Sequence, residues 1–219
     1  MAKPVKPRRP YRSERRREQA QQTRRRILDA AHRLFVERGF SGTTIAAVAT
    51  EAGTAAETVY AIFGSKPGLL ADLVSAAVRG DESTPVQEQS GPAAVRAATD
   101  QREQLRLFAN DIVRRLERVG PLMTVLATEA RSEPALDDLY QELHRTRLRG
   151  LRILTDALRA NGPLRLDVDR ATEAVWALAS PELHVLLTRT RGWARAAYVD
   201  WLAESLSALL LEPGKPAGR

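Results

Sequence analysis

Apolar residues recur along this chain at intervals of three and four, and no segment alternates with period two over a useful length, so the pattern predicts helices and no strands. Two short patterns meet in residues 43–66, TTIAAVATEAGTAAETVYAIFGSK. In the first, Ile45, Val48, Ala49 and Ala52 share a face, and small alanines let a neighbour approach. Gly53 then supplies the positive backbone angle that ends a helix and turns the chain. In the second, Val59 and Phe63 give the buried face, with Thr54 expected as the N-cap and Glu57 as its capping-box partner. Two short helices separated by a turn of about three or four residues are how a helix-turn-helix is written.

The pattern continues on both sides. Ile27, Ala30, Ala31, Leu34 and Phe35 stripe a preceding helix, and Ser65 is placed to cap a following one that carries Leu69, Leu70, Leu73 and Val74. Residues 81–92, DESTPVQEQSGP, read as a loop. Leu105, Phe108, Ile112, Val113, Leu116 and Val119 form the next stripe, expected to end at Gly120–Pro121, with a new helix over 121–131. A long helix is expected over about 134–160, burying Leu136, Leu139, Tyr140, Leu143, Leu151, Leu154 and Leu158. Asp167 caps the next, which carries Val168, Ala171, Val175, Trp176 and Leu178 until Pro181 bends or breaks it. The last, about 194–211, has Tyr198, Trp201, Leu202, Leu206 and Leu209 on a stripe wider than one neighbour requires.

A recognition helix enters the major groove by its N-terminal end, so its early exposed positions reach base edges. Here these are Ala55, Ala56, Glu57, Thr58 and Ala61. Thr58 can donate to or accept from bases, the alanine methyls can meet thymine methyls, and Glu57 can accept from a cytosine amino group or close its capping box. Tyr60 and Lys66 are placed for phosphate oxygens, Tyr60 alternatively for core.

Charge adds one feature. The net charge is +7, but residues 1–26 hold 11 Lys and Arg against 2 Glu, and the rest of the chain holds 23 basic against 25 acidic residues. An arm of arginine and proline directly before the first helix can place Arg8, Arg9, Arg12, Arg16 and their neighbours near phosphates or in a narrow minor groove; a solvated leader is the alternative.

Residues 24–74 as a run, with the first-helix stripe, Gly39–Phe40, Thr43–Thr44, Ala52–Gly53 and Val59–Tyr60 with Phe63 and Lys66, resemble the N-terminal DNA-binding domain of TetR-family transcriptional regulators. Thr54 departs from the family's usual small apolar residue, and Ala61 from a usually larger side chain. The resemblance implies an all-α chain: a three-helix helix-turn-helix domain followed by a helical bundle that binds a ligand and dimerises. The expected divisions are a basic disordered arm at 1–22, the DNA-binding domain at 23–80, a linker at 81–94, the helical body at 95–212 and a disordered tail at 213–219. It implies DNA contact by Thr43, Thr44, Thr54 and the recognition-helix residues above. By the same analogy, Phe108, Met123, Leu143, His144, Trp176 and His184 line a small-molecule pocket, each of them alternatively plain core. A homodimer through the last two helices would use Val175, Leu183, Leu187, Tyr198, Trp201, Leu202, Leu206 and Leu209. It would bind a palindromic operator in double-stranded DNA as a repressor until an effector, of mainly apolar character, released it.

Other classes fare worse. With 28% charged residues and no long apolar run, no membrane span is expected, and no apolar signal segment follows the basic start, so a cytoplasmic protein is expected. The absence of cysteine excludes disulfides and thiolate zinc sites, and His32, His144 and His184 lack helical metal-pair spacing. No cofactor is implied. No nucleophile–base pair or paired acids stand out; Gly64–Ser65–Lys66 lacks the earlier glycine and the strand of a phosphate loop. An architectural DNA-binding protein without a ligand stays open, with a helical-bundle enzyme behind it.

Overall fold

The structure, a computed structural model, describes residues 11–80 and 84–213, with side chains from residue 15. Its elements are helices: α1 Tyr11–Arg38, α2 Ile45–Ala52, α3 Ala56–Phe63, α4 Lys66–Arg79, α5 Ser90–Ala97, α6 Gln101–Glu129, α7 Pro134–Asn161, α8 Val168–Leu178, α9 Pro181–Val185 and α10 Arg195–Leu210. A single antiparallel bridge joins Leu164 and Leu211, and no strand forms among the described residues. The chain divides into two compact units, Met1–Leu73 and Val74–Arg219, with the division inside α4.

In the first unit, the head, α1 packs against α2 and α2 against α3. Its core is Ile27, Ala30, Ala31, Leu34 and Phe35 from α1, Ile45, Val48 and Ala49 from α2, and Val59 and Phe63 from α3. Phe40 closes the end of α1 by stacking on Phe35 at 5.6 Å. Arg33 pairs with Glu51 across α1 and α2, and Arg24 pairs with Asp72 while covering the Phe63 ring. α1 begins at Tyr11, inside the stretch expected as an arm. Past Pro10 the run of Arg, Glu, Gln and Ala holds no helix breaker, and these straight side chains lose little freedom in a helix.

In the second unit, the body, α6 is the central helix and packs against α5, α7, α9 and α10. Asp100 caps it by accepting from Glu103 N at 2.8 Å. It runs through Gly120–Pro121 without the break expected there. Proline removes one intrahelical bond, yet Leu116, Val119, Leu122, Met123 and Leu126 on both sides are all buried, so packing holds the helix together. Gly120 lets α9 approach closely, since a Cβ there would lie 3.2 Å from the Val185 side chain and press on it. Burial along α7 is uneven: Leu136, Leu151, Leu154 and Leu158 are buried, whereas Leu139, Tyr140 and Leu143 stay half-exposed. Thr155 and Thr172 meet at 2.6 Å to join α7 to α8 inside the core. Asp167 caps α8 as expected, and Pro181 breaks rather than bends the chain: α8 ends at Leu178 and Ser180 caps α9. A single π turn, Leu186–Thr190, continues from α9.

Candidate nucleic-acid interface and ligand cavity

The helix-turn-helix is built by its turn. Thr44 caps α2 by accepting from Ala47 N at 3.1 Å, and Gly53 ends it at φ 62°. Thr54 N then donates to Ala49 O at 2.9 Å, so the backbone of Thr54 belongs to the end of α2. The N-cap of α3 is Ala55, with no side-chain bond, and this corrects the expected capping box of Thr54 and Glu57. Glu57 instead lies exposed in the first turn of α3, where a carboxylate suits the helix dipole.

The outward surface carries Ala55, Glu57, Tyr60 and Ala61 exposed, with Thr54, Ala56 and Thr58 half-buried at its edge and Thr44 exposed at the start of α2. Tyr60 is 53% exposed, which removes it from the core. A short helix with a small-residue face and one phenol can enter a groove closely and place a hydroxyl against phosphate.

Two expected DNA contacts have structural partners within the head, and the first of them is buried. Thr43 is 1% exposed, and its hydroxyl donates to Leu34 O at 3.0 Å and Gly39 O at 2.8 Å, locking the loop after α1. Lys66 Nζ donates to Phe40 O and Thr43 O, both at 3.0 Å, and sits 4.1 Å from the centre of the Phe40 ring. Its ammonium closes that same loop, a role invisible in the sequence because its partners are backbone carbonyls more than twenty residues earlier. Ser65 caps α4 by accepting from Gly68 N at 3.0 Å. Arg15, Arg16 and Arg17 are exposed on α1; Arg8 and Arg9 lie outside the described residues, as does the side chain of Arg12.

The body holds a partly open cavity of about 430 Å³ between the end of α4 and α5, α6 and α7, with Pro181 of α9 at its border. Phe108, Leu116, Val119, Met123, Leu151 and Leu154 give it apolar walls. Of the expected lining residues, Phe108, Met123, Leu143 and His144 are there. Trp176 and His184 are not: Trp176 stands behind His144 and Arg147, its ring 5.3 Å from each, and His184 packs on Tyr198 and borders a separate hollow of about 230 Å³.

Arginines are the lining residues that sequence reading passed over. Arg115 is buried, bonded to both Asp111 oxygens at 2.9 and 3.3 Å and to Val78 O at 2.8 Å, so its charge is matched. Arg147 donates from Nη2 to Trp176 O, but its Nε and Nη1 are buried with no hydrogen-bond partner. Burial pulls its pKa down to about 10, against the pull of Glu182, Tyr198 and Tyr140. Burial likewise lowers His144, partly opposed by Glu182 and reinforced by Arg147. Arg147 shares its face of α7 with Leu143, His144, Leu151 and Leu154, all on the cavity wall. Among the described residues, no group of three or more His, Cys, Asp or Glu is placed to hold a metal ion.

The expected dimer residues divide. Val175, Tyr198, Leu202 and Leu206 are each 0% exposed within the single chain, so they are its own core and cannot face a partner. α10 spends that side on α6 and α8, the physical reason for the correction. Leu209 is 41% exposed, and Leu183, Leu187 and Trp201 are half-exposed; with Leu186 at 51% they form the apolar surface left over.

Residues 27–73 match the family model described as bacterial regulatory proteins, tetR family. The whole fold is that of solved regulators. NalD, the secondary repressor of the MexAB-OprM multidrug efflux pump in Pseudomonas aeruginosa, aligns at 22% identity over 90% of this chain and 99% of its own, with a TM-score of 0.69. A transcriptional regulator from Saccharomonospora viridis in complex with choline aligns at 23% identity over 87% and 98%, TM-score 0.64. FadR from Bacillus subtilis in complex with stearoyl-CoA aligns at 21% identity over 83% and 96%, TM-score 0.61. No curated protein matches the sequence. Among the described residues, no single helix is long and apolar enough to cross a membrane.

Proposed function

We propose that this TetR-family regulator acts as a homodimeric repressor, holding a palindromic operator through α2 and α3 and leaving it when a small molecule fills the body cavity. The observation that carries the reading is the pairing, in one chain, of an outward-facing short helix with a partly open apolar cavity large enough for a metabolite. Thr58 and the methyls of Ala55, Ala56 and Ala61 read bases, Tyr60 holds phosphate, and the exposed arginines of α1 add sequence-independent attraction. One short helix covers few base pairs, so a two-fold pair addressing two half-sites supplies the specificity. Leu183, Leu186, Leu187, Trp201 and Leu209 are the surface for that pairing.

The effector works by population. The division between the units falls within α4, with Leu69, Leu70 and Leu73 buried on one side of it and Val74, Ser75 and Val78 lining the cavity on the other. An effector that prefers the body of the DNA-free state weakens operator binding by the ratio of its affinities for the two states, about 1.4 kcal/mol for each tenfold. Thr58→Ala tests the reading face. It should change preference at one half-site position by about 1–3 kcal/mol while leaving salt dependence intact; a uniform loss across all sequences would contradict it.

A further inference from the structure

The cavity is apolar along most of its wall, and among the described residues Arg147 is the buried cation there with no carboxylate bonded to it. Arg115 is matched by Asp111, and Arg79 and Arg96 at the rim are exposed to water. Arg147 differs from all three. Its Nη2 is committed to Trp176 O and its guanidinium lies 5.3 Å from the Trp176 ring, which fixes the plane of the group, while Nε and Nη1, buried, have no hydrogen-bond partner among the described residues. The Nε–H and Nη1 lie on different edges of the guanidinium, so each can donate singly to an anionic oxygen, and a charge-assisted bond of this kind is stronger than a neutral one. A buried arginine left in that state is costly to the fold.

One helical turn earlier on the same face stands His144, also on the cavity wall, its two ring nitrogens buried without hydrogen-bond partners. Tyr140 packs edge-on against that ring at 4.2 Å. Glu182, the nearest carboxylate, has its Oε1 3.7 Å from His144 Nε2, takes the Tyr140 hydroxyl at 3.2 Å, and is 45% exposed at the side chain. Glu182 thus bonds Tyr140 from a partly exposed position and acts on Arg147 through space, without a hydrogen bond to it.

We propose that the effector is an amphipathic carboxylate, its apolar body against Phe108, Met123 and Leu151 and its carboxylate at the guanidinium of Arg147, with His144 donating beside it. This rests on the cavity being the effector site, and it narrows that reading to a chemical class. A neutral amphiphile would fill the same walls but leave Arg147 unmatched. A cationic one would be repelled by it.

The test uses the full chain and three ten-carbon probes, decanoate, decanol and decyltrimethylammonium, each titrated against tryptophan fluorescence and thermal midpoint, with wild type and Arg147→Met. Wild type should prefer decanoate to decanol by tenfold or more, equivalent to about 1.4 kcal/mol, and should bind the cation weakest. Arg147→Met should bind decanol as well as wild type does and lose the preference. Equal binding of decanoate and decanol by wild type, or a preference that survives in Arg147→Met, overturns the headgroup assignment and leaves the cavity reading standing. Failure of all three probes to bind overturns the cavity reading, and the proposal with it.

Discussion

The head and the body are both made of amphipathic helices, but they treat buried polar groups differently. In the head, Thr43 spends its hydroxyl on two carbonyls and Lys66 its ammonium on two more. In the body, Gln104, His144, Arg147, Trp176 and His184 each keep at least one buried nitrogen or oxygen without a hydrogen-bond partner; among the described residues no such atom lies in the head. The body also holds the cavity. A satisfied, filled unit has one arrangement and presents α3 at a fixed angle to its own scaffold. An underfilled unit with unmatched polar groups has free energy to release when a ligand completes it. Under the function proposed above, DNA reading belongs to the filled head and effector sensing to the underfilled body.

The largest effect that this contrast predicts is in the head core. Phe35 is wholly buried and stacked on Phe40, so Phe35→Ala should lower stability by about 3–5 kcal/mol, measured by denaturant unfolding. A smaller loss would mean that the head is less tightly packed than the contrast requires. Next comes Lys66→Ala, which removes two hydrogen bonds and a contact with the Phe40 ring and should cost about 1–3 kcal/mol in the same measurement. Unchanged stability with weaker DNA binding would return Lys66 to the phosphate contacts.

The smallest effect belongs to the body's histidines. Burial lowers the pKa of both His144 and His184, opposed by Glu182 for the first and Glu117 for the second, and reinforced by Arg147 and Arg189 respectively. The unfolded chain therefore binds more protons than the native one once the pH drops below the ordinary histidine value of about 6.5. Stability is full above that value and falls as the pH passes down through it toward the lowered native pKa values. Thermal midpoints between about pH 7.5 and 5.5 should fall more steeply for wild type than for a chain with His144→Leu and His184→Leu. Parallel curves would mean that the two rings accept protons in the folded state without penalty.

Sequence reading reached the head because its signals are local. Gly53 needs its positive angle within the motif it ends, and the α1 stripe repeats within a single helix. It slipped by one residue at the start of α3, since Thr54 is the better cap by type but its N–H is already committed to Ala49. It could not reach the structural bonds of Lys66, because the Phe40 and Thr43 carbonyls come near only in the folded head. It broke α6 at Pro121, where packing outweighs one missing bond, and it gave Tyr198, Leu202 and Leu206 to a partner because periodicity marks a face as buried without saying against what. Four cavity residues were legible as apolar or aromatic positions on inward faces. Arg147 was not, because an arginine on a helix is ordinarily solvated and only the arrangement of Trp176 and Glu182 leaves it inside and unmatched.

The most direct measurement is a selection of random duplex DNA by the purified full chain at about 0.15 M salt, sequenced for enriched motifs. The account predicts a palindrome whose half-sites lie about one helical turn, or a multiple of it, apart. Binding without enrichment that fades as salt rises would contradict it, leaving the exposed arginines of α1 as the binding surface and α3 with nothing to read.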